Sequence, residues 1–249
     1  MNSILITGGT GQLGKKLVDN FVKKNFQVIL TSTSKTKISN IYKKYRNNSN
    51  LHCIHTDFTK DNLEKLLHEI KKNKFKINHL INCARSLKSL KVNKNGITDR
   101  DDFLNEFLID VVIPYELSMQ LFLLQPKYLK TVTNIGSKYG VVAPNKNLYK
   151  DFNVDSPIQY GTSKAALHHL TKELAVRFAE KGIRVNCIAF GGFEGRVNNS
   201  FKKKYAKLTP IRRMLKISEV VGPVEYLIND ENSSINGHTI IADGGWTIW

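Results

Sequence analysis

The chain has 249 residues, with 38 Lys and Arg against 21 Asp and Glu and a formal net charge of +17. That length can bury the core of one α/β domain, and no Pro/Gly/Ser-rich linker, internal repeat or low-complexity tract divides it, so residues 1–249 are expected to form a single domain. No apolar run is expected to approach the roughly 18 to 20 residues of a membrane helix, and the chain opens on a strand-like run instead of a basic and then apolar signal segment; a cytoplasmic protein with no membrane partner is expected.

The excess charge could serve nucleic acid, anionic lipid or an acidic substrate. Its carriers, such as Lys15, Lys43, Lys94 and Lys203, are spread along the chain among many Asn residues. With no recognition module and no interleaving of aromatic and basic residues, no specific nucleic-acid partner is expected, only a general attraction for phosphorylated ligands. Cys53, Cys83 and Cys187 lie in or beside apolar strand-like runs and lack metal-ligand spacing, so they read as reduced core residues and no metal site is expected. The seven histidines are scattered, and His168 and His169 read as surface or packing residues.

The predicted elements alternate strand and helix. Residues 3–7 form a strand, and Leu13, Leu17 and Phe21 have the spacing of a buried helical stripe. A strand at 27–31 precedes a helix at 37–46; a strand at 51–55 precedes a helix marked by Leu63, Leu66, Leu67 and Ile70. After a strand at 79–83, a polar segment at 85–98 leads to a long helix at 101–124, with Pro114 expected to bend it. A strand at 131–135, a helix at 160–179, a strand at 184–189, a basic segment at 191–216, a helix at 219–228 and a strand at 238–242 complete the chain. Short apolar strands alternating with helices imply a parallel sheet of about seven strands, covered on both faces, that binds ligands beyond the carboxyl ends of its strands.

Two motifs carry chemistry. In Tyr160-Gly161-Thr162-Ser163-Lys164, Tyr160 and Lys164 share a helix face, where an ammonium favours the ionised phenol and so makes a tyrosine an acid/base. After the first strand, Thr7-Gly8-Gly9-Thr10-Gly11-Gln12-Leu13-Gly14 leads into a helix. Glycines there permit a tight turn and close approach of a pyrophosphate to exposed helix N–H groups.

Further pieces are Asp57 after strand three, Asn82-Cys83-Ala84 after strand four, Ser137 after strand five, Arg184-Val185-Asn186, Gly191-Gly192, and Asp243-Gly244-Gly245. In order and spacing this set resembles the short-chain dehydrogenase/reductase family over essentially the whole chain. The resemblance implies a single-domain Rossmann fold, a doubly wound parallel sheet with helices on both faces. It implies a nicotinamide dinucleotide cofactor that carries hydride, while the protein orients the reactants and moves the proton.

Carried over, Gly8, Gly11 and Gly14, with Thr10, Gln12 and Leu13 among them, border the pyrophosphate; Asp57 and Phe58 border the adenine. Asn82, Cys83 and Ala84 border its ribose and support the central strands; Gly191, Gly192 and Phe193 lie by the nicotinamide. Lys164 binds the nicotinamide ribose and favours ionisation of Tyr160, Ser137 hydrogen-bonds the substrate oxygen, and Tyr160 passes the proton. Asp110 stands where the family's long-helix Asn completes a catalytic tetrad. At the end of strand two, Ser32 replaces the acid that would hold the 2′-hydroxyl of NAD, and Thr33 replaces a common arginine. NADP is therefore preferred over NAD, with Lys35 or Lys37 meeting the 2′-phosphate.

The sequence departs from the family in its Gly-x-x-Gly-x-x-Gly spacing, in Arg85 where the strand-four motif has glycine, and in Phe190 where proline precedes Gly191. An insertion at 138–157 and a substrate loop at 191–216 look like the branch that acts in bacterial flagellin-glycosylation and nonulosonic-acid pathways. The substrate is then an anionic or phosphorylated sugar, met by Lys138, Lys146, Lys150, Arg196 and Lys202, Lys203 and Lys204. A generic carbonyl or 3-oxoacyl carrier-protein reductase is the alternative, and a catalytically decayed dinucleotide sensor or nucleic-acid binder a third reading. The aromatic tail at Trp246 and Trp249 is expected at the contact of a homodimer or homotetramer.

Overall fold

The structure, a computed structural model, describes residues 2–46, 48–60, 63–195, 197–232 and 234–249. Seven strands form one sheet: β1 (Ser3–Ile6), β2 (Gln27–Ser32), β3 (Leu51–His55), β4 (His79–Asn82), β5 (Thr131–Ser137), β6 (Arg184–Phe190) and β7 (Thr239–Ala242). Their order is β3-β2-β1-β4-β5-β6-β7, and every pairing is parallel. The chain runs outward from β1 to β3, then restarts at β4 on the other side of β1. Such a reversal leaves a crevice at the carboxyl ends of β1 and β4.

The alternation of side chains along β1 explains the two-faced core. Ile4 and Ile6 join Leu17 and Phe21 of α1 (Gln12–Lys23) and Val224 of α9 (Val221–Ile228). Leu5, pointing the other way, joins Leu66 of α3 (Glu64–Lys72), Leu117 of α5 (Ile113–Leu124) and Leu174 of α7 (Ile158–Phe178). A strand buried on both faces needs apolar residues at successive positions, which is why β1 reads as a continuous apolar run. The remaining helices are α2 (Lys35–Lys44), α4 (Arg100–Phe107), α6 (Phe152–Asp155) and α8 (Asn199–Lys207).

The expected long helix at 101–124 is two helices joined by a π-helical turn, Leu108–Val112, in which the Ile113 N–H reaches back to the Leu108 carbonyl. Pro114 sits in the first turn of α5. Having no N–H, it cannot close an α-helical bond on the Asp110 carbonyl, so the backbone widens before the proline instead of bending at it. By length and composition Arg100–Leu124 could cross a membrane, against the expectation that no run approaches that span. Here Ile109, Ile113, Leu117 and Leu121 of that run pack into the sheet core.

The basic segment at 191–216 contains α8 and a parallel bridge between Phe193 and Leu215, and the insertion contains α6. These elements are too short for their periodicity to stand out in the sequence. Helix α7 starts two residues before Tyr160, behind Pro157.

Candidate active site

At the end of β1 the chain makes its glycine turn. Gly8 has φ +66°, and a Cβ there would stand 2.7 Å from the Ala84 Cα; only glycine fits so close to another backbone. The Thr7 hydroxyl accepts the Cys83 and Ala84 N–H groups at 2.9 and 3.0 Å, tying the ends of β1 and β4 together. Gly11 caps α1 in an extended conformation, and no side chain bonds the first-turn amides. Those free N–H groups make the start of α1 an anion site. At the end of β2, the Ser32 hydroxyl lies 2.6 Å from that of Thr10 and accepts the Ser34 N–H.

A cavity of about 1330 Å³ extends from this turn along the strand ends. Gly8, Thr10, Gly11, Gln12, Leu13 and Gly14 line its first part, with Ser32, Thr33 and Lys37 beside them. Asp57, Phe58, Cys83 and Ala84 line it beyond β3 and β4, and Gly191, Gly192 and Phe193 beyond β6. Ser137, Tyr160 and Lys164 line its far end. One chamber of that volume accommodates a dinucleotide together with a second molecule.

At the far end Lys164 is 5% exposed. Its Nζ donates to Asp110 Oδ1 at 2.8 Å and to the Ile135 carbonyl at 3.1 Å, while the other Asp110 oxygen accepts the Ser163 hydroxyl at 2.9 Å. The π turn carries Asp110 into this contact. Burial, the largest single influence, pushes the Lys164 ammonium down, but the Asp110 charge, the Tyr160 phenol and the hydrogen bond to Asp110 together outweigh it and the net shift is upward. The pair is therefore a buried ion pair held further by the Ile135 carbonyl and the Ser163 hydroxyl. Lys164 Nζ stands 6.0 Å from the Tyr160 ring centre, and the Arg85 guanidinium lies over that ring at 4.3 Å. Tyr160 thus meets two cations, one beneath it and one across its face. A phenol so placed, beside a hydroxyl at Ser137, can give or take a proton at a substrate oxygen.

A family model described as enoyl-(acyl carrier protein) reductase matches residues 10–247. The flagellin modification protein A of Campylobacter coli is 26% identical over 98% of this chain and 97% of its own. A 3-oxoacyl-[acyl-carrier-protein] reductase of Buchnera aphidicola is 30% identical over 96% of this chain and 95% of its own. A short-chain dehydrogenase of Leptospira borgpetersenii, solved with bound NAD+, superposes with a TM-score of 0.87 at 29% identity, covering 99% of this chain and 93% of its own. The chain belongs to the short-chain dehydrogenase/reductase family. This dehydrogenase/reductase is accordingly an NAD(P)-dependent oxidoreductase, and the non-enzymatic reading falls away. Its residues fit a dinucleotide: the glycine turn is a cradle that a Cβ at Gly8 would fill, beside an uncapped helix start.

The structure moves several expected residues. Asn82 stands behind the cavity wall, where it donates to Asn134 at 2.8 Å, and Asn134 in turn donates to Thr171; it joins β4, β5 and α7 and does not face the cavity. Asp110 lies beneath Lys164 and likewise does not line the cavity. Of the two candidate lysines after β2, Lys37 lines the cavity and Lys35 does not, since the helical turn that starts at Ser34 points them apart.

The expected cationic rim is not a rim. Lys146, Lys150, Lys202, Lys203 and Lys204 do not line the cavity, and Arg196 lies outside the described residues. Lys138 is 2% exposed, with its Nζ 2.9 Å from the Trp246 ring centre and 4.2 Å from that of Tyr205. No hydrogen-bond partner reaches that nitrogen, and burial pulls its pKa down to about 6, with Asp243 opposing. Trp246 packs against Tyr205 of its own chain and is no exposed tail, whereas Trp249 is exposed.

Sequence reasoning missed Ser163, whose position beside Lys164 was its only signal, and Gln159, whose amide donates to the Ser89 carbonyl at 2.9 Å and accepts the Thr98 hydroxyl at 2.8 Å. Gln159 pins the segment after Arg85 against the helix that carries Tyr160. It also missed Glu106, 1% exposed, both of whose oxygens lack a partner; burial, then the Asp110 charge, push its pKa up to about 7.

Proposed function

We propose that the protein is an NADP-preferring oxidoreductase that interconverts a carbonyl and an alcohol on an anionic sugar or sugar derivative used in surface-glycan synthesis. The observation that carries this reading is the cavity wall built by residues 138–157. It sets Tyr139, Tyr149 and Phe152 beside Asn153, Asp155 and Ser156 next to Tyr160, and the Tyr139 and Tyr149 hydroxyls are bonded at 2.8 Å. Aromatic faces among polar groups suit a polyhydroxylated ring. The whole-length likeness to a flagellin modification protein supports the same substrate class.

In this reading the start of α1 and Gly8, Gly11 and Gly14 hold the pyrophosphate, and Lys37 with Ser32 and Thr33 meets the 2′-phosphate. Asp57 and Phe58 flank the adenine, and Gly191, Gly192 and Phe193 cover the nicotinamide end. When bound, the cofactor supplies or accepts the hydride. Ser137 and Tyr160 hold the substrate oxygen, and Tyr160 gives it a proton during reduction and takes one during oxidation. Lys164 keeps a positive charge under the phenol, and Asp110 keeps Lys164 charged and in place. The enzyme works in the cytoplasm, where nicotinamide dinucleotides circulate. Copies associate through the exposed apolar residues of α5 and α7, such as Tyr115, Leu123, Ile158 and Val176, as a dimer or tetramer.

The likeness to a 3-oxoacyl carrier-protein reductase and the charge of +17 favour a second reading, reduction of an acyl thioester on an acidic carrier. Fluorescence titration with NADPH and NADH at two salt concentrations comes first, then a panel of keto-sugars and 3-oxoacyl thioesters. Tighter NADPH binding and turnover of keto-sugars abolished by Tyr160→Phe are expected. Equal dinucleotide affinities would remove the NADP preference, and thioester turnover alone would select the second reading.

A further inference from the structure

Arg85 occupies the first turn of chain after the β4 motif, where it projects from an exposed position into the cavity beside Tyr160. Its guanidinium carbon lies over the phenol ring, 4.3 Å from the ring centre. The N–H donors of a guanidinium point outward along the edge of its plane, in a fork that matches a planar acceptor. Among the described residues, nothing hydrogen-bonds or ion-pairs with that edge. The backbone behind it is held: Gln159 ties Ser89, Lys91 and Thr98 to the start of α7, one residue from Tyr160.

Lys88 and Asp155 also line the cavity, but among the described residues no acid bonds to Arg85. Lys164 is matched by Asp110 at 2.8 Å. Lys138 is shut behind Trp246 and Tyr205, with its pKa pulled down to about 6 by burial. Glu106, the acid whose charge Arg85 feels, is buried, unbonded and pushed up to about 7. A free cation stacked on the acid/base that moves the substrate proton therefore faces whatever the substrate carries next to its reacting carbon.

We infer that Arg85 is a specificity-determining residue that grips a substrate carboxylate attached at the reacting carbon or at the carbon beside it, so that the enzyme acts on 2-oxo or 3-oxo acids and the matching hydroxy acids, carboxylated sugars included. The inference rests on the oxidoreductase reading above and narrows its substrate class. The stacking height keeps the anion close to the carbonyl that Tyr160 serves. A carboxylate presents two oxygens in one plane to the guanidinium edge, which a lysine at the same place could not match. A thioester on a carrier protein has no charge at this position and leaves Arg85 unpaired in the filled cavity.

The test compares kcat/KM for 2-oxobutyrate, its methyl ester and dihydroxyacetone phosphate, with saturating NADPH or NADH, in the wild type and in Arg85→Ala, Arg85→Lys and Lys91→Ala. Wild-type enzyme is expected to favour the acid over the ester by at least about 30-fold, as befits a bidentate charge-assisted pair. Arg85→Ala brings the ratio near one, Arg85→Lys gives an intermediate value, and Lys91→Ala, which removes a nearby exposed cation that does not line the cavity, keeps the wild-type ratio. A wild-type ratio near one, an Arg85→Ala ratio equal to that of the wild type, or an equal collapse in Lys91→Ala overturns the assignment. Preference for the ketose phosphate overturns the carboxylate. Absence of turnover on all three with either dinucleotide counts against these probes as substrates, and calorimetric titration of the dinucleotide-saturated protein with 2-oxobutyrate then decides the anion site by itself. Binding weakened at least about 30-fold by Arg85→Ala supports it; equal or undetectable binding in the wild type overturns it.

Discussion

Two buried lysines line the cavity, one in its floor and one in its wall, and their pKa values shift in opposite directions. In the floor, Lys164 has a carboxylate at 2.8 Å and a carbonyl at 3.1 Å, and against burial the Asp110 charge, the Tyr160 phenol and the Asp110 hydrogen bond together hold its pKa up. In the wall, Lys138 has only the faces of Trp246, Tyr205 and Tyr139, and burial pulls its pKa down to about 6. Depth is nearly the same for both, at 5% and 2% exposure, so the partner and not the depth decides the charge. A carboxylate repays the desolvation of an ammonium; ring faces repay only part of it.

Breaking the floor pair gives the largest effect. Lys164→Ala leaves the Asp110 carboxylate buried with only Ser163, at a cost of about 3–5 kcal/mol of stability, and lowers turnover by roughly 10²–10⁴-fold. Urea unfolding and initial rates check both. Asp110→Asn, which keeps a polar group between Ser163 and Lys164, is the milder variant in stability. Equal stability of Lys164→Ala and wild type would show that the floor is not an ion pair.

Replacing the wall lysine has the opposite sign. The folded pKa of Lys138, about 6, lies below its ordinary 10.5, so between these values the unfolded chain binds a proton that the folded chain does not. Wild-type stability therefore rises with pH through that window and falls as pH drops toward 6. Lys138→Met, similar in volume and uncharged, is expected to be more stable than wild type by about 1–4 kcal/mol at the acid end, with the difference shrinking toward the alkaline end. Urea unfolding at several pH values reads this difference. A difference independent of pH would mean that Lys138 stays charged in its aromatic box.

The smallest effect sharpens the floor further. Glu106 is raised from 4.5 to about 7 by burial and then by Asp110, with Arg85 and Lys164 opposing. Its contribution is complete below pH 4.5 and is lost as pH rises through 7, because the folded carboxyl holds a proton that the unfolded one has released. Glu106→Gln is expected to gain about 1–2 kcal/mol over wild type above neutral pH and to match it near pH 4.5. Thermal unfolding at the two pH values measures it, and an equal gain at both would place the Glu106 charge elsewhere.

Much of the floor was legible from local pattern. Tyr160 and Lys164 are four apart on one helix, and the glycine turn sits between a strand and a helix, so short-range spacing carries both signals. The wall was illegible for a matching reason. In the sequence Lys138 reads as one of several cations that meet an anionic substrate, because its enclosure is made by Tyr205 on α8 and Trp246 near the C-terminus, elements remote from it in sequence. The same holds for Asn82, which donates to Asn134 on β5, itself a donor to Thr171 on α7.

The sequence by itself determined a parallel sheet covered on both faces, the order of its strands along the chain, the glycine turn after the first strand and the shared helix face of Tyr160 and Lys164, because each rests on periodicity or on a backbone requirement that one short stretch satisfies. Tertiary structure alone decided which charges survive: Asp110 meets Lys164 through a π turn, Arg85 is laid across Tyr160, and Lys138 is closed off by aromatic rings. Burial and partnership are properties of the packed chain, and the energy of a charge depends on both.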